Sequence, residues 1–299
     1  MHVSKSFLVA ASALAACASI ASAQTPVVDG TRDASYGGAL AVQTVETGFG
    51  DNFSEMDAGY GRIDSGRLYL MLTGNIENNF NKLEIFIDSK AGGQSVFDSS
   101  GNDGAGVMDG LQFDSGFTAD YHLIARRGSG QFDLDFANLG AQSASGYGNI
   151  FSGADFGSGN TGTGVNASSI GVAYNGSNIA GVAGGGSAAA DQTAAQAVTT
   201  GLELSIDLLD LGWTGGSINV MVGQNNQNHN YWSNQFLGGL PAPQGNLGGD
   251  EAGGFTGEGA INMQNFGGDQ FFTVAVPEPA TMSLLALGAL ALTRSRRTR

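Results

Sequence analysis

Short stretches in which apolar and polar residues alternate constrain the fold of this chain more than any other feature. Residues 131–136 read Gln-Phe-Asp-Leu-Asp-Phe, and residues 83–88 and 202–207 follow the same period of two. This period places successive side chains on opposite faces of a strand, as in antiparallel sheets with one buried face. We therefore expect the apolar residues to face a core, and Asp133 and Asp135 to face outward.

Apolar runs and frequent turn residues extend this pattern over the whole body of the chain. Residues 68–72, 218–222 and 271–276 are further runs that suit strands. The chain has 49 glycines, and its body contains no sustained helical period, so long helices are disfavoured and turns are frequent. The sequence predicts an all-β protein, specifically an antiparallel β-sandwich.

Two local features refine this prediction. Asn175 and Gly176 form a typical two-residue hairpin turn, which predicts that residues 170–174 pair with residues 178–182. Gly, Ala, Ser and Asn dominate residues 140–200, which contain few large apolar side chains. Outside the hairpin, this composition predicts a long loop or flexible insertion.

Residues 1–23 have the parts of a secretory signal peptide. Lys5 provides the positive start, an apolar stretch follows, and Ala21 and Ala23 form a small-residue cleavage site before Gln24. Signal peptidase is the expected partner. A lipobox that ends at Cys17 is the alternative, in which Cys17 would be lipidated. Cleavage before Gln24 would remove the only cysteine, leaving a body without disulfides.

The C-terminal end, residues 276–299, also has three parts. Pro277, Glu278 and Pro279 form a stiff extended strip, because proline donates no backbone hydrogen bond and restricts its neighbour. Residues 280–293 carry no charge but fall short of the ~20 residues that span a membrane, which predicts a short transmembrane helix. The chain then ends in a basic cluster, expected to stay cytoplasmic, formed by Arg294, Arg296, Arg297 and Arg299.

This three-part tail resembles the PEP-CTERM sorting signal of exported bacterial envelope proteins. In that family a membrane enzyme, exosortase, recognises the Pro-Glu-Pro motif and processes the tail. The resemblance implies an exosortase-type partner. It also implies an exported protein that is transiently anchored in the inner membrane and then left in the cell envelope or outside the cell. An ordinary C-terminal membrane anchor, or a buried helix with a basic end, is the alternative.

A second resemblance concerns the body, residues 24–275. Residues 28–36, 67–70 and 83–88 look like the opening of DOMON-like and family-nine carbohydrate-binding sandwiches. Those domains begin with Asp-Gly, continue with a Leu-Tyr strand and then have a strand that ends in Phe-x-Asp. The resemblance implies a jelly-roll or DOMON-like sandwich. Such folds have sugar-binding, haem-binding or structural roles, so the fold alone does not give the function.

The charge and motifs of the body restrict its function. Seven basic and 26 acidic side chains remain without the two terminal segments, a formal net charge of −19. This excess of acid argues against nucleic acid as a partner and is compatible with divalent cations and neutral glycans. We find no Gly-x-Ser-x-Gly or His-Glu-x-x-His motif. His122 and His229 are expected to be surface or hydrogen-bonded residues, so we predict no catalysis.

An oxygen-rich loop, residues 98–109, is a candidate calcium site. Carboxylate and amide oxygens are the ligands that Ca²⁺ prefers, although the loop departs from the EF-hand pattern. A solvated acidic turn is the alternative. The candidate ligands are Asp98, Asn102, Asp103 and Asp109.

An amide-rich loop, residues 224–235, is a candidate glycan site. Aromatic faces suit the C–H surfaces of sugars, and amides suit their hydroxyls. The alternative is a Tyr-Trp pair that closes the end of the sandwich. The candidate glycan contacts are Asn230, Tyr231, Trp232 and Asn234.

Together these features predict an exported, non-catalytic envelope or extracellular-matrix protein that contacts extracellular polysaccharide, as in a biofilm matrix. A structural surface protein without a small ligand is one alternative. A secreted glycan-active hydrolase is a weaker alternative, because the sequence identifies no acid–base pair.

Overall fold

The computed structural model describes residues 24–99, 101–153, 155–248 and 257–276. Its strands are β1 (Ala41–Val42), β2 (Glu55–Asp64), β3 (Arg67–Asn75), β4 (Asn79–Asp88), β5 (Tyr121–Gly128), β6 (Gln131–Asn138), β7 (Ser143–Ser152), β8 (Phe156–Asn160), β9 (Gly171–Asn175), β10 (Gly201–Asp207), β11 (Ile218–Asn225), β12 (Trp232–Leu237) and β13 (Phe272–Val274). The helices are α1 (Gln192–Ala197) and three 3-10 segments, Ala34–Tyr36, Asn102–Met108 and Met263–Asn265. The all-β prediction is confirmed.

The strands form two antiparallel sheets around one hydrophobic core. The first sheet has the order β1-β2-β3-β10-β9-β8, and the second has the order β12-β11-β4-β5-β6-β7, with β13 also paired to β11. Leu70 and Leu204 from the first sheet meet Ile85 and Val220 from the second in this core. The predicted sandwich is therefore confirmed, whereas its jelly-roll or DOMON-like type stays a prediction.

The second sheet is also covered on its outer face. Phe86 of β4 and Ile124 of β5 belong to a second apolar cluster there. The segments that follow β4 and β11 supply further members, such as Phe113 and Trp232. Because both faces of this sheet are covered, polar side chains on its outer face are buried as well.

Asp133 and Asp135 of β6 are two such side chains. They alternate with residues of the inter-sheet core, as predicted, but both are buried. Arg126 of β5 donates from Nη1 to Asp135 Oδ2 at 2.5 Å, and its Nε lies 3.9 Å from Asp133 Oδ2. These carboxylates therefore face outward from the inter-sheet core as predicted, but they are buried there, and a cation on the neighbouring strand compensates their burial.

The predicted hairpin after β9 is not formed. Strand β9 pairs with β8 and β10, and residues 178–182 form no strand. Instead, Asn178 Nδ2 donates to Glu55 Oε1 at 2.7 Å, and Val182 N donates to Asp57 Oδ1 at 2.9 Å. Two buried carboxyl groups of β2 thus hold residues 178–182 in a non-strand conformation.

Residues 140–200 are not the predicted long loop, because they include β7, β8, β9 and α1. The glycines of this segment allow close packing where β7 and β8 meet. A Cβ atom on Gly157 would lie 2.5 Å from the Phe151 ring, and one on Gly159 would lie 2.6 Å from the Ile150 carbonyl oxygen. In this segment the glycine-rich composition therefore reflects close packing between neighbouring strands and not a flexible loop.

Residues 1–23 and 277–299 lie outside the described residues. They include the predicted signal peptide with Cys17, the Pro-Glu-Pro motif, the predicted transmembrane segment and the arginine cluster. Within the described residues, no helix is both long enough and apolar enough to cross a membrane.

Candidate functional site

Two of the predicted glycan contacts are in the core of the protein. Trp232 is fully buried and stacks on Phe236 at a centroid distance of 4.9 Å. It packs on Gly223, where a Cβ atom would lie 1.9 Å from the indole ring. Asn234 is also fully buried, and its Nδ2 donates to the Glu46 carbonyl at 2.8 Å. The prediction that Trp232 and Asn234 contact a glycan is therefore wrong, because both side chains are fully buried.

The other two predicted glycan contacts remain partly accessible. The Tyr231 ring stacks on Phe49 with centroids 5.8 Å apart. Asn230 Oδ1 accepts from Asn226 Nδ2 at 2.7 Å. Both residues are half-buried, and their contact with a glycan stays a prediction.

The acidic residues of the candidate calcium loop have separate partners. Asp103 Oδ2 accepts from Lys82 Nζ at 2.5 Å. Asp109 Oδ1 accepts from the backbone N–H of Ser99 at 2.7 Å. The described residues contain no group of three or more His, Cys, Asp or Glu side chains that could hold a metal ion. Asp103 thus binds a cation of the protein itself.

The remaining candidate calcium ligands, Asp98 and Asn102, do not join Asp103. The Asp98 carbonyl accepts from the side-chain amides of Gln94 and Gln142 at 3.0 and 3.1 Å. Asn102 begins a 3-10 segment, and its buried Nδ2 has no hydrogen-bond partner among the described residues. The structure therefore does not assemble the four predicted oxygen ligands.

The two loops that the sequence singled out nevertheless border one cleft, which we call the charged cleft. It has a volume of about 370 Å³ and opens on the outer face of the second sheet, where β4, β5 and β6 lie side by side. Its lining residues are Phe80, Lys82, Asp103, Arg126, Asp133, Gln227 and Asn228.

Cations and carboxylates are paired throughout the charged cleft. Lys82 pairs with Asp103, and Arg126 contacts both Asp135 at 2.5 Å and Asp103 at 3.4 Å. Burial raises the pKa of Asp103, but hydrogen bonds from His229 and Lys82 and the charge of Arg126 lower it to about 2. The cleft therefore presents basic donors beside carboxylate acceptors.

A buried chain of hydrogen bonds continues from the floor of the cleft into the protein. Lys82 Nζ lies 2.6 Å from His229 Nε2, and His229 Nδ1 lies 2.6 Å from Glu84 Oε1. The other Glu84 oxygen lies 2.7 Å from His122 Nε2. Burial raises the pKa of Glu84, but the charge of His229 and hydrogen bonds from both histidines outweigh burial and lower it well below its usual range. Glu84 is thus a buried carboxylate.

Lys82 and His229 contact each other through their side-chain nitrogens. Two N–H groups cannot face each other at 2.6 Å, so one nitrogen must accept. Burial lowers the pKa of His229, but the charge of Glu84 and the hydrogen bonds to Asp103 and Glu84 raise it to about 9. The carboxylates of Glu84 and Asp103 therefore stabilise positive charge at the bottom of the cleft.

Three residues of this site have backbone conformations that side chains rarely adopt. The φ angles are 68° at Phe80, 49° at Asp103 and 56° at His229. Left-handed backbone costs a non-glycine residue about 1–3 kcal/mol and is concentrated at ligand sites. The ion pairs of Asp103 and His229 hold two of these residues in place.

Sequence reasoning did not identify Lys82 and Arg126 as site residues. Both lie on strands, Lys82 on β4 and Arg126 on β5. They are directly opposite each other in the β4–β5 register, and Arg126 is opposite Asp133 in the β5–β6 register. Two adjacent cations repel unless carboxylates separate them, so the strand register, had it been known, would have predicted a cleft built from paired charges.

The comparison with protein families bears on the C-terminal end. Residues 275–297 match the family described as the PEP-CTERM protein-sorting motif. None of the curated proteins and none of the solved structures matches the chain. The predicted recognition of the tail is confirmed. This chain carries a PEP-CTERM sorting motif, which implies export and sorting at the membrane by an exosortase-type enzyme.

Proposed function

We propose that this exported protein associates with extracellular polysaccharide through the charged cleft, without catalysis. The observation that supports the proposal is the alternation of charged donors and acceptors beside the Phe80 ring. A sugar hydroxyl both donates and accepts, so the partly exposed side chains of Arg126 and Asp103 can each bind one. An aromatic ring supplies a face for the apolar side of the sugar.

The charge of the protein favours a neutral polysaccharide. Asp103 and Asp133 occupy the same cleft as Lys82 and Arg126, so an anionic ligand would meet as many acids as bases. The body as a whole is strongly acidic and repels polyanions. We place the sorted protein in the cell envelope or extracellular matrix, where neutral polysaccharide is within reach.

The state of the carboxylates supports binding rather than cleavage. Most glycosidases need one carboxyl group that gives a proton to the leaving oxygen, usually with a raised pKa. Asp103, with its pKa lowered to about 2, has no proton to give at neutral pH. Asp135, whose pKa burial raises, points its carboxylate at Arg126 at 2.5 Å.

The proposal is tested by co-sedimentation of the exported protein with insoluble neutral polysaccharides. Asp103→Asn should weaken retention about tenfold to a hundredfold, since hydrogen bonds to charged groups contribute about 1.5–3 kcal/mol. Phe80→Gly should also weaken it while relaxing the backbone. Asp269→Asn is the matched control, because Asp269 is exposed and does not line the cleft.

Two outcomes would favour the alternatives. No retention on any neutral polysaccharide would leave a structural surface protein without a glycan ligand. Release of soluble reducing sugars by the wild type, lost in Asp103→Asn, would instead identify a hydrolase.

A further inference from the structure

We infer a second ligand site, separate from the charged cleft, in a pit at one end of the sandwich. The pit has a volume of about 320 Å³, and its ligand class is a neutral, hydroxyl-rich unit such as a terminal sugar. This inference does not depend on the proposed role of the charged cleft, because the two cavities share no lining residue. The pit residues that carry it are Asn52, Phe53, Asn75, Asn78, Arg127 and Tyr174.

The pit lies where the two sheets meet near the turn between β3 and β4. Arg127 follows Arg126 on β5, and it lines the pit while Arg126 lines the charged cleft. Arg127 Nε donates to the Ile76 carbonyl at 2.5 Å, and its Nη1 donates to Asp155 Oδ1 at 3.1 Å. Its guanidinium lies 5.2 Å from the centre of the Tyr174 ring. These contacts fix a planar cation at the base of the pit.

Two amide oxygens of the pit have no partner. Asn75 is 5% exposed, and its Nδ2 donates to the carbonyls of Asn52 and Asn178 at 2.7 and 3.0 Å. These bonds fix the amide orientation, because a flipped amide would place Oδ1 against two carbonyl oxygens. Neither Asn75 Oδ1 nor Asn52 Oδ1 accepts a hydrogen bond from the described residues, although both are buried.

The two unpaired amide oxygens indicate that the ligand must supply hydrogen-bond donors. A buried acceptor without a donor costs about 1–3 kcal/mol, and a ligand that donates to it recovers that energy. Hydroxyl groups donate, whereas carboxylates and phosphates at neutral pH mainly accept. Glu77 and Asp155 also line the pit and disfavour anions. The ligand is therefore a neutral polyol.

Phe53 gives the pit the aromatic surface that a sugar ring requires. Its side chain is 61% exposed, an unusual position for phenylalanine. A ring at the rim of a polar pit can stack on the apolar face of a sugar whose hydroxyls reach the amides below. The volume of this cavity is at the lower end of the range for small-ligand pockets. It therefore suits the terminal sugar of a polysaccharide better than an internal segment of one.

The test titrates the exported protein with the methyl glycosides of glucose, galactose, mannose and N-acetylglucosamine, followed by backbone-amide NMR. We expect at least one glycoside to shift the amides of Asn78 and Gly176 saturably. Phe53→Ala should weaken that binding at least tenfold at an unchanged melting temperature, and Phe53→Tyr should retain it. Phe156→Ala is the matched control, because Phe156 is 71% exposed and does not line the pit.

Three results would overturn the inference. One is the absence of shifts at Asn78 and Gly176 with all four glycosides at millimolar concentration. A second is equal loss of binding in Phe53→Ala and Phe156→Ala. The third is shifts confined to Gln227 and Asn228, which would assign all binding to the charged cleft. Methyl glucuronide, the anionic comparison, should bind more weakly than its neutral counterpart.

Discussion

Trp232 and Tyr231 are adjacent in sequence, but they differ in burial. Trp232 is fully buried on Gly223, whereas Tyr231 is half-buried and stacks on Phe49. Truncating a buried tryptophan leaves a cavity, so we expect Trp232→Ala to lower the free energy of unfolding by about 3–5 kcal/mol. Tyr231→Ala should cost about 1 kcal/mol or less. Urea denaturation of both variants checks this, and equal losses would contradict it.

Glu84 sets the protonation of the buried hydrogen-bond chain. Its charge is the largest influence that raises the pKa of His229, to about 9. In Glu84→Gln that charge is absent, so the titration midpoint of His229 should fall toward its ordinary value near 6.5. NMR titration of the imidazole measures the midpoint. A midpoint still near 9 in a folded variant would show that Asp103 alone holds the proton.

At the scale of elements, the strands were predictable and their pairing was not. Alternation is a local signal, and it correctly predicted β4, β6 and β10 as strands. Pairing joins distant segments: the Asn-Gly turn favours a hairpin after β9, yet β9 pairs with Leu202–Ser205 of β10 instead. A local turn preference did not outweigh the burial gained beside an apolar strand.

The candidate site was only partly predictable for a related reason. Both loops that border the charged cleft were singled out from their composition, but Lys82 and Arg126 were not. A polar residue in an alternating strand has the same sequence signal whether water or a loop covers it. For the same reason, Trp232 in an amide-rich loop indicated a sugar platform although Gly223 on β11 makes room for it inside the protein.

At the scale of the whole molecule, buried carboxyl groups couple stability to pH. Burial raises the pKa of Glu55 to about 7 and that of Asp57 to about 8. The folded state thus binds protons that the unfolded state, with carboxyl pKa values near 4, has already released. Their stabilising contribution is present below pH ~4 and is lost as the pH rises through 7 to 8. The raised pKa of His229 also stabilises the fold at low pH, and this contribution is lost as the pH rises through about 9.

We therefore expect the melting temperature to fall steadily between pH 5 and pH 9. Asp103, with its lowered pKa, has the opposite dependence, but only below about pH 4. Differential scanning calorimetry at constant ionic strength measures the slope. Glu55→Gln removes one of the titrating groups and should flatten it. A melting temperature that rises over this range would contradict the assignment of these carboxyl groups.

The sorting motif is expected to determine how the C-terminal tail is processed. An exosortase-type enzyme that recognises Pro277, Glu278 and Pro279 should cut close to them, so we expect the sorted protein to lack most of residues 277–299. Replacing the three motif residues with alanine should leave the full chain in the membrane, because the apolar segment and the arginine cluster are unchanged. Mass spectrometry of the C-terminus in wild type and triple variant measures both. In a host that has exosortase, an intact Arg299 on most wild-type molecules would reduce the tail to a plain membrane anchor.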